Sequence, residues 1–394
     1  MNIDLTDEQK EFADSFRNFC NKEILSYSEG FEEKGEIPKF IFQKLGDVGF
    51  NGLLHSKKFG GQDSDYTTTM IAQEILAETC GSTFFSVGAS AGLFGLPISE
   101  HGNEVQKEKY LPEIIKGNTI GCLAVTEPDA GSDVSSMKTV AEKKGDSYFL
   151  NGQKTYITNA PVADYAIVLA YLKNENKGLT TFIVDLSSKG VSRGKKMKKM
   201  GLNGSPTGEI FFEDVELKES DILGRKGKGF SIIMQAFNRE RLSLGAYCVG
   251  VMAACIKDSK SFAKSRKSFG RPIIKHQLVS FQLAEMLMKY EASKILLFET
   301  AFLMDKDKSQ NGLKVYNGYP IDLTAKTATL KLLSSTYARE VCNSAVQIHG
   351  GAGFMEEYRV SRLYRDIKLA EIGGGTSEIQ KQIIARSEAK RVKS

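Results

Sequence analysis

The sequence predicts a mainly α-helical protein with a central β unit, because its texture changes twice along 394 residues. Apolar residues keep helical spacing to about Gly117, short β-branched and aromatic runs with turn dipeptides take over near Ile120, and long apolar helical segments return after Phe230. We place an N-terminal helical domain at residues 1–118, a middle β domain at 119–228 and a C-terminal helical bundle at 229–394. A chain of this length exceeds the usual size of one hydrophobic core, so several packed units are expected.

The first helix opens at Thr6, which forms a capping box with Gln9, and Phe12, Phe16 and Phe19 then recur on one face. In the β unit, Val140–Lys144, Ser147–Leu150 and Thr155–Thr158 are strand-like runs, and the dipeptides between them, Gly145-Asp146 and Asn151-Gly152, are hairpin turn signals. Tyr165–Leu172, Thr180–Leu186 and Glu209–Glu216 add strands rich in Ile, Val, Phe and Thr, and the basic, Gly-rich stretch Gly224–Gly229 closes the unit. Beyond it, Gln277–Met304 and Asp322–Ile348 carry apolar residues on more than one side, as bundle helices do, with the polar stretch Lys306–Pro320 as a loop between them.

Composition narrows the function classes. The net charge of +5 is mild and basic residues alternate with acidic ones, which argues against nucleic acid while leaving room for a local basic patch. Cys20, Cys80, Cys122, Cys248, Cys255 and Cys342 form no CxxC pair and read as free thiols in a reducing compartment. The four histidines lack ligand spacing, so no metal is expected. The acidic, polar N-terminus is unlike a signal peptide, and the longest apolar runs, Tyr165–Leu172 and Ala246–Ile256, are too short to span a bilayer. A soluble, cytoplasmic protein without a membrane partner is the expectation.

One residue breaks its local pattern. After Phe230 an apolar helical stripe reads Ile233, Phe237, Leu244, Cys248 and Val251, and position 240 of that stripe is Glu. A carboxylate facing a core is costly unless paired, protonated or functional. Spacing alone leaves two readings: a buried ion pair or local turn toward solvent, and a base whose pKa is raised by desolvation.

Five motifs lie in order along the chain: Ala124-Val-Thr-Glu-Pro-Asp-Ala-Gly-Ser-Asp-Val134, Asn151-Gly-Gln-Lys-Thr-Tyr-Ile-Thr-Asn159, Arg266-Lys-Ser-Phe-Gly270, Val346-Gln-Ile-His-Gly-Gly-Ala-Gly-Phe354 and Gly375-Thr-Ser-Glu-Ile379. Singly, each is ordinary turn or capping chemistry. Together they resemble the acyl-CoA dehydrogenase family, from about residue 5 to residue 390. The resemblance implies an N-terminal helical domain, a middle β-barrel-like domain and a C-terminal four-helix bundle, assembled as a homotetramer with FAD between these domains and a neighbouring subunit. It implies that Thr126 and Ser132 hydrogen-bond the flavin end, that Tyr156, Ile157 and Thr158 line the isoalloxazine, and that Arg266 sits at the pyrophosphate beside Phe269 and Gln277. Gln347, Gly350 and Gly351 are then the backbone's close approach to the dinucleotide, and Thr376 and Glu378 close the site. Ser132, Asn238, Arg241, Gly373 and Gly375 fall on the substrate side.

Two departures from the family pattern carry information. Many members place a catalytic Glu immediately before the Gly-Thr of the last motif, where this chain has Gly374. A minority branch, including isovaleryl- and long-chain-type enzymes, carries the base on the helix before an Arg, which matches Glu240 and Arg241 here. The resemblance and the odd carboxylate thus select one residue by separate routes. By the same likeness, the backbone N–H at Gly374 and a flavin ribityl hydroxyl receive the thioester carbonyl, and flavin N5 takes the β-hydrogen as hydride. Gly373 and Gly374 leave space for a branched or cyclic acyl end, although three consecutive glycines also read as a plain loop.

The remaining departures bear on substrate and acceptor. Asn238 stands where Asp commonly contacts the pantetheine, and Tyr156 replaces a frequent Trp. The stretch Tyr156–Asp164 resembles prolyl-carrier-protein dehydrogenases. Lys57, Lys58, Lys195, Lys196, Lys198 and Lys199 offer either a basic patch for CoA phosphates or an acidic carrier, or merely a solvated face. Three functions follow: a short or branched acyl-CoA dehydrogenase passing electrons to a flavoprotein, a dehydrogenase or oxidase of an acyl or aminoacyl group on a carrier protein with oxygen as acceptor, and a catalytically silent flavin-binding scaffold.

Overall fold

The capping box forms as the sequence predicts: Gln9 N donates to Thr6 Oγ1 at 3.2 Å and Thr6 N to Gln9 Oε1 at 3.1 Å, starting helix α1 (Asp7–Glu23). Phe12, Phe16 and Phe19 stack along it with successive ring centroids 5.9 Å apart. This computed structural model describes residues 5–173, 178–310, 312–316 and 318–391. The N-terminal region continues through α2 (Ser28–Lys34), α3 (Lys39–Asp47), α4 (Tyr66–Thr79), α5 (Gly81–Val87), α6 (Leu96–His101) and α7 (Glu104–Ile115). Between α5 and α6, Gly88–Gly95 form a wide π-helical turn, a geometry frequent at functional sites.

The β unit is one sheet of β1 (Gly121–Ala124), β2 (Val140–Lys144), β3 (Ser147–Thr158), β4 (Tyr165–Lys173), β5 (Leu179–Asp185), β6 (Val191–Arg193), β7 (Thr207–Lys218) and β8 (Ile222–Leu223). Its order is β6-β7-β3-β2-β4-β5-β8, with β1 parallel to the first half of β4 and β2 parallel to its end. The Gly145-Asp146 turn joins β2 to β3, but the turn expected at Asn151-Gly152 does not exist. Both residues lie inside β3, at a register shift against β7 where Gly152 takes φ +148° and Asn151 exchanges two 2.9 Å hydrogen bonds with Asp214. A bulge asks for the same permissive backbone as a turn, and the dipeptide alone does not distinguish them.

Three long helices build most of the C-terminal region: α8 (Gly229–Ser265), α9 (Gln277–Gln310) and α10 (Leu323–His349), followed by α11 (Arg359–Asp366) and α12 (Ser377–Arg391). The loop expected from Lys306 begins later, since α9 continues to Gln310, and it holds a short hairpin pairing Val315–Tyr316 with Tyr319–Pro320. From Arg241 to Cys255 nearly every residue of α8 is buried, because α4, α9 and α10 pack around it. This corrects the expectation about apolar length. Gly81–His101 and Gly229–Ser265 are long and apolar enough to cross a bilayer, yet most of each apolar window is covered by protein, as in a core helix. All six cysteines are free and buried.

Candidate active site

A cavity of about 120 Å³ opens where the N-terminal helices meet α8, with Thr158 of β3 also in its wall. The rest of the lining is drawn from residues within 50–55, the first two turns of α4, 84–96 and 236–244. Gly88 and Gly92 face it without side chains, for a Cβ on either would meet nothing within 4 Å. Glu240 stands in this wall and, among the described residues, makes no hydrogen bond or ion pair. The buried ion pair expected as one reading is therefore not what the fold makes.

Glu240 keeps some accessible surface because it lines the cavity, but protein surrounds it closely. Burial pushes its pKa up to about 7, against the opposing pull of the Arg241 and Lys331 cations. Arg241 does not reach back to the carboxylate. Its Nε donates to Gly374 O at 3.3 Å and its Nη1 to Asn238 Oδ1 at 2.6 Å, while Asn238 Nδ2 donates to Thr324 Oγ1 at 3.1 Å. Asn238 is thus engaged in aiming Arg241.

The triglycine loop beside Glu240 is fastened from three sides. Lys331 Nζ donates to Gly375 O at 2.8 Å, and Gln380 Nε2 donates to Gly375 O at 2.7 Å and Gly374 O at 3.2 Å. Burial depresses the Lys331 pKa to about 8. Gly374 and Gly375 have φ of +63° and +92°, a backbone region that favours glycine. Sequence reasoning missed Lys331 and Gln380. The signal for Lys331 was present in Leu330-Lys331-Leu332-Leu333, a charge inside an apolar run like the one that marked Glu240.

The Ala124–Val134 loop has its own anchor, also missed. Lys154 is fully buried and donates to Val125 O at 3.0 Å and Glu127 Oε1 at 2.8 Å, while Glu127 accepts from Lys138 N and Thr139 N. Thr155 N donates to Thr126 O at 2.9 Å, tying Thr126 to the strand that carries Tyr156. Tyr156 sits at a second register shift of β3 with φ +58° and is 69% exposed, whereas the Ile157 side chain lies in the core and leaves only backbone for a ligand. Ser132 is exposed, and Thr376 and Glu378 lie just beyond the triglycine loop.

A second group lies elsewhere. Arg266 and Phe269 lie between α8 and α9, Gln277 opens α9, and Phe262 stacks on His349 at 4.4 Å, bringing Gln347, Gly350 and Gly351 to the same end of the bundle. From Glu240 to Arg266 the helix rises about 39 Å at 1.5 Å per residue, farther than one extended dinucleotide spans. Arg266 and Glu240 thus stand at opposite ends of a long stretch of α8. Each group suits part of a flavin dinucleotide. Tyr156 offers an open aromatic face, Phe269 is 94% exposed, and a Cβ on Gly350 or Gly351 would meet nothing. The lysines expected as a patch are partly absorbed by the fold: Lys58 pairs with Glu104, Lys196 donates to Lys34 O and Gly35 O, and Lys199 to Ser205 O and Thr207 Oγ1.

Helices, a sheet and a helical bundle in this order, with one carboxyl in a largely apolar cavity, form the frame of the acyl-CoA dehydrogenase class. The N-terminal, middle and C-terminal domains of acyl-CoA dehydrogenases match residues 6–118, 122–215 and 227–389. The probable acyl-CoA dehydrogenase YngJ of Bacillus subtilis is 36% identical, covering 98% of this chain and 99% of its own. Butyryl-CoA dehydrogenase of Megasphaera elsdenii superposes with a TM-score of 0.91 at 34% identity, covering 99% of this chain and 100% of its own. The prolyl acyl carrier protein oxidase AnaB gives a TM-score of 0.88 at 30% identity, covering 97% and 99%. The chain belongs to the acyl-CoA dehydrogenase family and is an FAD-dependent oxidoreductase of acyl thioesters.

Proposed function

We propose that the protein dehydrogenates the α,β bond of a short or branched acyl-CoA with Glu240 as base. The observation that carries this reading is the unpartnered Glu240 carboxyl in an otherwise largely apolar cavity, its pKa raised to about 7. A base poised there is ionised in good part at neutral pH and still strong enough to take the α-proton. The Gly374 N–H donates to the thioester carbonyl oxygen as negative charge develops, and a fixed donor of this kind contributes on the order of 10²- to 10³-fold. Arg241, Lys331 and Gln380 hold the carbonyls of Gly374 and Gly375 and so fasten the loop that carries that N–H. Bound FAD supplies acceptance of the hydrogen that leaves the β carbon as hydride.

In this reading Thr126, Ser132, Tyr156, the Ile157 backbone, Thr158, Thr376 and Glu378 hold the flavin end. Arg266, Phe269, Gln277, Gln347, Gly350 and Gly351 serve the pyrophosphate side of a cofactor seated in a neighbouring copy. Their separation along α8 supports a site shared with another copy, and the likeness to the family supports a homotetramer. Ser132, Gly373 and Gly375 border the substrate. A flavoprotein acceptor and a cytoplasmic, reducing setting complete the reading, the latter supported by six free thiols.

The likeness to AnaB favours a second reading, in which the acyl or aminoacyl group arrives on a carrier protein and oxygen takes the electrons. Anaerobic mixing with CoA- and carrier-linked thioesters separates the two by which one bleaches the visible flavin band, and admission of air reports oxygen as acceptor. A holoenzyme that no thioester bleaches is the silent scaffold, and both catalytic readings fail.

A further inference from the structure

Arg239 directly precedes Glu240 on α8, so the two side chains leave the helix about 100° apart, yet both line the cavity. Its Nη1 is engaged by Glu100, at 2.8 Å from Oε1 and 2.7 Å from Oε2. The other edge, Nε and Nη2, is enclosed and has no hydrogen-bond partner among the described residues. That edge is the side-on fork of a guanidinium, two near-parallel N–H groups spaced to meet the two oxygens of one carboxylate. Enclosed charged donors are expensive to leave unpaired, which distinguishes this edge from an arginine spread over the surface.

The cavity wall provides no second counter-charge for the fork apart from the base itself. Burial pushes the His55 pKa down to about 4 and the Tyr66 pKa up to about 12, so both are neutral. Gln73 Oε1 and His55 Nδ1 are likewise enclosed and unpartnered. The remaining lining is mostly apolar, including Met70, Leu93 and Leu96. An alkyl tail filling this space would leave the fork dry and unmatched. The cavity is small, about 120 Å³, so the chain that reaches the fork is short.

We propose that the acyl substrate is the thioester of a short dicarboxylic acid, its free carboxylate clamped by the Nε–Nη2 edge of Arg239. This deepens the reading of Glu240 as base and rests on it for the orientation of the acyl chain. The test uses pentanedioyl and pentanoyl thioesters of pantetheine, the arm common to CoA and carrier proteins, titrated calorimetrically into the Glu240→Gln holoenzyme. The expected result is binding of the pentanedioyl ester about tenfold or more tighter, as a charge-assisted hydrogen bond confers, with Arg239→Met in the same background bringing the ratio close to one. Arg239→Lys keeps a cation for Glu100 without the fork, and it lowers the ratio if the methionine variant fails to fold. Equal affinities, a ratio that neither variant changes, or no binding of either ester overturns the proposal. Bleaching of the flavin in Glu240→Gln counts against the base instead and leaves the affinity ratio readable.

Discussion

A Cβ placed on Gly374 would stand 3.5 Å from Glu240 Oε2 and 2.8 Å from Leu244 Cδ1, so the glycine and the carboxylate share one small space. A Cβ at position 374 would press on Leu244 and already touch the Glu240 carboxyl, so a side chain larger than alanine there would crowd it. This gives a steric reason why a chain with its acid on the helix carries glycine before Gly375-Thr376. Gly374→Ala is expected to cost about 1–2 kcal/mol for its positive φ alone, and the displaced loop to lower turnover by roughly 10²-fold. Thermal unfolding and steady-state rates on one preparation check both; an alanine variant of normal rate and stability means the loop yields freely.

Glu240→Gln keeps the size of the side chain and removes its basicity. FAD content is expected to stay at that of the unaltered protein, while the rate of flavin bleaching by substrate falls by ~10²- to 10⁴-fold. Stopped-flow absorbance reads this directly, and a fully active variant places the base elsewhere.

The raised pKa of Glu240 predicts two pH profiles. A base works ionised, so kcat/KM should climb with pH through about 7 and level off above it. For stability, the folded value lies above the usual 4.5 of a glutamate, so the protonated form favours the fold. That contribution is full below about pH 4.5 and lost as pH rises through about 7, by at most ~3 kcal/mol. Melting temperatures of the unaltered protein and Glu240→Gln compared at pH 5 and pH 8 should therefore diverge in favour of the glutamine at the higher pH. A constant difference speaks against a titrating buried carboxyl.

Gly92 lies in the π-helical turn, and its missing Cβ points into open cavity. Gly92→Ala should not destabilise the protein, since alanine in a helical segment gains ~0.5–1 kcal/mol over glycine. It should raise KM for the longest acyl group accepted by about tenfold, through overpacking worth ~1–3 kcal/mol, and spare shorter ones. A uniform effect across chain lengths would show that this wall does not measure the acyl group.

Lys154→Met leaves the Glu127 carboxylate buried without its cation. A loss of ~3–5 kcal/mol is expected, as for other broken buried pairs, together with weaker FAD retention because Thr126 sits in the loop that Glu127 anchors. Denaturant unfolding and gel-filtered FAD content measure the two effects, and unaltered stability would mean that the pair contributes nothing net.

Local periodicity decided what the sequence alone determined: helices before and after a β unit, the capping box at Thr6, and a carboxylate breaking the apolar stripe of α8 at Glu240. Each of these depends on residues a few positions apart. What the tertiary structure decided involves partners distant in sequence. Asn151-Gly152 becomes a bulge because β7 lies alongside it. Arg241 turns away from Glu240 to hold Gly374, 133 residues later. The Arg239 fork matters because Glu100 occupies its other side. Turn dipeptides and single charges carry no record of what will pack against them, so their roles are fixed only when the chain folds.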